Sequence, residues 1–353
     1  MASLTKAAVV SRKTIRYGIY ALIAILIIRL AFNGLVSVYK KVFPPKDPPP
    51  TVKYGTLPSI PFPVQEEVQI SYELEFLNDV EKFPDQTRVY FIPKPTTNLL
   101  ALDNAREKAS SLGFSGNGRE LVETIYSFVS TDGLSTLNIN IVTGAFSIAY
   151  DTNSNPSILD SRPPNFEAAE AIVRDKLRSA NLLSPDLADG TSTNQYLKKV
   201  GGGFGPAISL SEANVTKINL YRKPLGLGEI PSVSADPDQS NVWFMVAPPS
   251  TIIAAEYHYF PIDEMESATY PLKTFDQAWD DLENGKAFIA SRGSNESDQV
   301  LITNAFLAYF DPSQYTEFYQ PVVVFENEDG FRAYVPAVTS EFYGDTNDDV
   351  SSE

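Results

Sequence analysis

From Tyr17 to Tyr39 the chain reads YGIYALIAILIIRLAFNGLVSVY, an apolar run interrupted by Arg29 and Asn33. Crossing a hydrocarbon core of about 30 Å takes about 20 helical residues, so residues 17–39 are expected to form a transmembrane helix. Lys6, Arg12, Lys13 and Arg16 precede the run and Lys40, Lys41 and Lys46 follow it, so the positive-inside rule discriminates weakly. A short basic tail, residues 1–16, most simply stays in the cytoplasm while the body is exported. The expectation is an uncleaved, single-pass signal-anchor in a bacterial cell membrane with an extracytoplasmic C-terminal body. A cleaved signal peptide fits less well, because its apolar core spans about 7–15 residues. Arg29 and Asn33 lie four residues apart and share a helix face. A charge within a membrane helix meets a partner helix or snorkels to the interface, and these two residues are the expected membrane-helix contact. Eight prolines between Phe43 and Pro63 oppose a helix and favour polyproline II, so residues 40–63 read as a stalk.

Beyond the stalk, strand-like alternation and helical spacing take turns. VQISYELEF from Val68 alternates apolar with polar positions, the period of a half-buried strand, and RVYFIP from Arg88 follows. Leu99, Leu102, Ala105, Ala109 and Leu112 recur at helical spacing, with Gly113 as the stop. TIYSFV from Thr124, STLNINIV and AFSIAY then predict a meander that turns at Thr143-Gly144. The order recurs: Asn165 caps a helix with Phe166, Ala169, Val173, Leu177 and Ala180 on one face, and strands follow from Val215, Asn241 and Ile252. Residues 183–210, with GGGFGP at 201–206, read as a mobile loop. A third helix begins at Thr274, where Thr274 and Gln277 fit a capping box, and stops at Gly285; LITNAFLAYF, YQPVVVFE and FRAYVPAV complete the unit. The predicted class is α+β, with tandem helix-plus-antiparallel-meander domains at 64–160, 161–270 and 271–343 and a disordered tail at 344–353.

With 43% hydrophobic residues in 353 positions, the chain can bury real cores. Nine of its 28 Lys/Arg lie at or before Lys53 but only Asp47 of its 44 Asp/Glu does, which leaves 19 basic against 43 acidic residues beyond. Such acidity argues against a nucleic-acid partner, whose phosphates it repels. The absence of cysteine excludes disulfides, thiolate nucleophiles and Cys-ligated metals. His258, in EYHYF, is the single histidine and no G-x-S-x-G elbow accompanies it, so neither a serine triad nor a zinc site is predicted. GGGFGP lacks the Lys-Ser/Thr of a phosphate loop. No catalytic residue, cofactor or metal is expected, although carboxylate pairs suited to glycoside hydrolysis arise by chance among so many acids.

The third unit carries Ala278-Trp279, Tyr309-Phe310, Pro321-Val322 and Tyr334-Val335 in that order, on a helix and three strands. In these pairs residues 274–338 resemble the C-terminal part of the YycH/YycI family of membrane-anchored extracytoplasmic regulators, whose domains are akin to PepSY modules. The proline-rich stalk and the length depart from that pattern. The resemblance implies binding and regulation beside a sensor histidine kinase, and no chemistry. The expected function is therefore a membrane-anchored, extracytoplasmic, non-enzymatic regulatory protein with a protein partner in the envelope. One alternative is a structural subunit of an envelope complex, with Arg29 and Asn33 packed on other helices. The other is a carboxylate-dependent hydrolase of wall glycans.

Overall fold

A computed structural model describes residues 16–18, 20, 22–23, 25–30, 32–34, 48–65, 69–75, 83–226, 228–294 and 298–344. The chain divides into two compact units, Met1–Pro49 and Pro50–Glu353. In the first unit the described residues between 16 and 34 are helical, and Arg29 and Asn33 are exposed. No helix among the described residues is long and apolar enough to cross a membrane. The expected transmembrane helix at 17–39, which lies partly outside the described residues, is corrected accordingly. With it go the signal-anchor and membrane assignments and the single-pass placement with a cytoplasmic N-terminus. The physical reason is length, since a span takes about 20 consecutive helical residues and the described ones do not supply them.

In the second unit the elements in chain order are β1 (Ser71–Leu74), β2 (Gln86–Phe91), α1 (Ala101–Leu112), β3 (Phe114–Val122), β4 (Ile125–Ser130), β5 (Ser135–Asn140) and β6 (Phe146–Tyr150). There follow α2 (Phe166–Ser179), α3 (Pro185–Ala188), β7 (Ser192–Val200), β8 (Gly203–Pro206), β9 (Val215–Leu220), β10 (Ser232–Val233), β11 (Val242–Ala247) and β12 (Thr251–Tyr257). Then come β13 (Asp263–Pro271), α4 (Phe275–Glu283), β14 (Phe288–Arg292), β15 (Gln299–Ile302), β16 (Asn304–Phe310), β17 (Phe318–Tyr319), β18 (Pro321–Glu326) and β19 (Phe331–Pro336).

The longer helices form where local chemistry directs. Gly113 ends α1 in the left-handed region at φ 101°, which glycine adopts without steric cost. Asn165 caps α2 by accepting from Ala168 N, and Thr274 with Gln277 closes a reciprocal capping box on α4. Helices α1 and α2 bury Ala105, Ala109, Leu112, Ala169, Val173 and Leu177 against one face of a sheet ordered β3-β4-β5-β6-β12-β11-β9-β7-β8. Strand alternation sends Ile139, Phe146, Tyr257 and Val242 to that face in register, with Phe146 and Tyr257 stacked at 5.0 Å. Each fully buried side chain in such a core contributes about 1.5–3 kcal/mol by burial, so Phe244, which is fully buried, is a place where truncation to Ala would break the layer.

The remaining strands make a five-stranded sheet ordered β10-β16-β18-β19-β14, a three-stranded sheet ordered β13-β2-β17 and a parallel pair, β1-β15. Here Tyr309 stacks on Tyr319 at 5.3 Å, and Tyr309 and Tyr334 are fully buried while Trp279 packs at the core margin. Leu57 and Ile60 are also buried, Leu57 N donates to Phe342 O over 2.9 Å, and Phe62 stacks on Phe288. This part of the expected stalk therefore packs on the body. The first expected strand, 68–76, and the tail beyond Gly344 lie partly or wholly outside the described residues.

The expected α+β class with tandem helix-plus-meander, PepSY-like domains is also corrected. The described chain is mostly β, with large antiparallel sheets and a half-barrel. Strand β6 pairs with β12 about a hundred residues away, fusing two expected meanders into one nine-stranded sheet. The segment 183–210, expected as a loop, folds into α3 and the β7-β8 hairpin, whose turn is at Gly201 with φ 59°. Backbone hydrogen bonding to β9 holds β7 in place, and its polar sequence follows from its exposed surroundings.

Candidate functional site: a polar cleft over the open face of the large sheet

The side chains that alternate with the helix-covered row point the other way. Register places Asn138 opposite Ser147, Ser147 opposite Glu256, Glu256 opposite Trp243 and Trp243 opposite Asn219. A row of short polar residues with one indole thus crosses five strands on the face away from α1 and α2. Asn138, Ser147 and Glu256 are only partly buried, so this end of the row meets water or a polar ligand, whereas Asn219 at the other end is buried and donates to Thr193 Oγ1.

At one end of this row the chain folds over to make a cleft of about 340 Å³. Its floor is Asn138, Ser147 and Glu256, and its far wall is Phe260 with Ser313, Gln314 and Tyr315 from the segment after β16. Asn138 Oδ1 is buried with no hydrogen-bond partner among the described residues. An unpaired buried acceptor costs about 1–3 kcal/mol relative to a paired one, so the cleft holds an unmet demand for a donor. His258 Nε2 lies 2.9 Å from Glu256 Oε2, and both side chains are about one-third exposed. Glu256 is the one carboxylate among the described lining residues. On the apolar side, Tyr315 meets Phe260 edge-on at 6.1 Å and donates its hydroxyl to Ile92 O over 3.3 Å.

Behind the far wall lies a buried ionic cluster. Arg222 donates from Nη1 to Asp186 Oδ2 at 2.9 Å, from Nε to Asp311 Oδ1 at 3.3 Å and from Nη2 to Phe260 O at 2.7 Å. Its guanidinium carbon sits 4.1 Å from the centre of the Tyr259 ring, a cation–π contact. Asp186 Oδ1 in turn accepts from Tyr259 Oη and Ser184 Oγ, each at 2.6 Å. Burial pushes the Asp186 carboxyl up, but the Arg222 charge and the Ser184, Tyr259 and Arg222 hydrogen bonds outweigh it and hold the group below the usual aspartate value. At Asp311 burial dominates and the carboxyl is raised in spite of Arg222. Burial opposes the charge on Arg222, but Asp311, the flanking tyrosines and Asp186 overcome it and keep the guanidinium protonated. By holding Phe260 O and Asp311, Arg222 acts as a positioning residue for the cleft wall.

Arg29 and Asn33 belong to the N-terminal unit, and the residues that line the cleft belong to the other. His258, for which the sequence predicts neither a serine triad nor a zinc site, lines the cleft. A signal for the pair existed: Glu256 and His258 are two apart in an extended run and so share a face. Asn138 and the Arg222 cluster carried no such signal, because their surroundings come from distant segments.

No family model and no curated protein matches the chain. Among solved structures it is similar to an uncharacterized protein from Eubacterium rectale ATCC 33656, at 12% identity, covering 75% of this chain and 87% of that one, with a TM-score of 0.36.

Proposed function

We propose that the protein is a non-enzymatic binding protein whose cleft takes a small polar ligand, neutral or cationic, that presents several N–H or O–H donors. The observation that carries this reading is the buried, unpaired Asn138 Oδ1 on the cleft floor. The side chains of Ser147 and Gln314 line the same space and make no hydrogen bond among the described residues, while the Glu256 carboxylate disfavours anions. Tyr315, backed by the buried Phe260, offers ring surface to the carbon skeleton, the usual division of labour in a small-molecule pocket. The resemblance of residues 274–338 to YycH/YycI regulators supports binding over chemistry. Glycoside hydrolysis takes a pair of carboxylates about 5–9.5 Å apart, and the single Glu256 is a reason to prefer binding.

The test is a calorimetric and thermal-shift screen of the full chain against sugars, polyols, amino acids and amines, repeated with Asn138→Leu. A hit should lose about tenfold in affinity in the variant, the worth of one hydrogen bond to a buried acceptor. Stability without ligand should hold or rise, because the variant removes an unsatisfied polar atom. A wild-type protein that binds nothing in these classes, or a hit indifferent to Asn138→Leu, defeats the reading.

A further inference from the structure

A second, smaller cavity of about 160 Å³ lies between α1 and the turn that joins β5 to β6, and its described lining includes Thr96, Asn98, Asn104, Lys108, Asn140 and Thr143. Lys108 reaches it from the second turn of α1, and a Cβ built on Gly144 would lie 3.5 Å from its Nζ. Lys108 is half-buried, and its ammonium makes no hydrogen bond or ion pair among the described residues. Burial alone lowers its pKa, with no carboxylate near enough to raise it. In a chain of net charge −16, a partly desolvated ammonium without an acid beside it is an unusual local excess of positive charge.

Several of the acceptors around it are already occupied. Asn98 Oδ1 accepts from Leu100 N at 2.9 Å. Asn140 Oδ1 accepts from Val142 N at 2.9 Å and Thr143 N at 3.1 Å, and its Nδ2 donates to Thr124 Oγ1. Thr143 Oγ1 accepts from Ala145 N at 3.2 Å. Backbone N–H groups thus occupy acceptors of the cavity, while the Lys108 ammonium, the Asn98 amide N–H groups and the Thr143 hydroxyl proton remain as donors. Because the carbonyl oxygens of Asn98 and Asn140 are each identified by a backbone N–H that they accept, this assignment does not depend on an arbitrary amide flip.

We infer that this cavity is a binding site for a small oxyanion, the phosphate or carboxylate end of a ligand, with Lys108 supplying the charge and Asn98 and Thr143 supplying neutral donors. Charge-assisted hydrogen bonds to an oxyanion are the strong ones, and the cavity is of the size for one such group. The site stands apart from the ligand proposed for the larger cleft, whose lone carboxylate favours the opposite charge. Asn140 and Thr143 nonetheless line both spaces, so an anion here would touch the turn that borders the cleft.

The experiment titrates the full chain at constant ionic strength, in one arm with inorganic phosphate and in another with acetate, followed by calorimetry and by the unfolding midpoint. Saturable binding is expected in at least one arm, phosphate alone indicating a phosphoryl ligand and acetate alone a carboxylate. Lys108→Gln should weaken it about tenfold, Lys108→Arg should retain most of it, and Lys176→Gln, outside the cavity, should leave it unchanged. A ligand-free unfolding scan checks that Lys108→Gln is folded, which a half-buried unpaired charge makes easy to satisfy; should it not be, Thr143→Val serves as the second variant and should weaken binding several-fold. The inference is overturned if neither anion saturates the wild-type protein, or if the folded variants bind as the wild type does.

Discussion

Arg222 Nη1 donates to Asp186 Oδ2 over 2.9 Å with both side chains buried, tying the second residue after β9 to the short helix α3. Burying two charges costs several kcal/mol each before their attraction is counted, and this cost is offset by further bonds from Arg222 to Asp311 and Phe260 O and to Asp186 from Ser184 and Tyr259. Replacing one member leaves the other stranded. Arg222→Met is expected to destabilise the fold by about 3–5 kcal/mol, read from urea midpoints at unchanged slope. A loss under about 1 kcal/mol, the range of exposed pairs, would show that the cluster is hydrated.

The two aspartates on Arg222 have opposite linkage to pH. Asp186 is lowered from the ordinary 3.8, so its contribution is present above that value and is lost as pH falls through its folded value. Asp311 is raised from 3.8, so its contribution is fully present below 3.8 and is lost as pH rises through its folded value. The two act on opposite sides of 3.8. Asp311→Asn removes the member whose contribution is lost above that value, so as pH rises above about 3.8 the variant should gain stability relative to the wild type, while below it the two curves should run parallel. Wild-type and variant curves that stay parallel above that value as well would refute the assignment.

Gly190 carries the chain from α3 into β7 and has no room for a side chain. A Cβ there would lie 1.9 Å from Tyr221 O and 2.8 Å from Asp186 O, both backbone atoms. The close approach lets Asp186 O accept from Lys223 N at 2.9 Å and so seats Asp186 beneath Arg222. Gly190→Ala must push these strands apart, at a cost of about 3 kcal/mol or more, the upper range for overpacking. The same displacement should weaken any ligand of the cleft, since Arg222 holds its wall. A variant with wild-type stability would mean that the loop yields freely.

These examples show which parts of the architecture were legible from the chain. Helices α1, α2 and α4 were, because period and caps are local: Gly113, Asn165 and the Thr274–Gln277 box act within one turn. Strands β5, β6 and β11 were legible too, since each sends alternate residues under a helix layer, and β9, buried at five of its six positions, was legible from its apolar and β-branched residues. Strands β7 and β8 were not, because an edge hairpin of sequence STNQYLKKV followed by glycines has little buried face to impose a pattern. The pairing of β6 with β12, and the meeting of Asp186, Arg222 and Asp311, join segments far apart in sequence. Tertiary packing decides such contacts, and no window of a dozen residues contains them. The apolar run at 17–39 is the converse case: composition over one window predicts a span that the described helix does not provide.

Glu256 offers the sharpest probe of what kind of ligand the cleft prefers. Its carboxylate is held by His258 at 2.9 Å and stands in register with Ser147 on one side and Trp243 on the other. Glu256→Gln keeps the shape and a carbonyl acceptor but removes the charge. For a neutral polyhydroxylated ligand the loss should be limited to about fivefold, the difference between a charged and a neutral acceptor, with affinity insensitive to salt. For a cationic ligand the loss should exceed about tenfold, and raising ionic strength should weaken the wild-type complex toward the variant. Both outcomes place the ligand against Glu256. Affinity that is unchanged in Glu256→Gln, for a ligand already shown to need Asn138, would place it on the Ser313–Tyr315 side of the cleft and away from the Glu256–His258 pair.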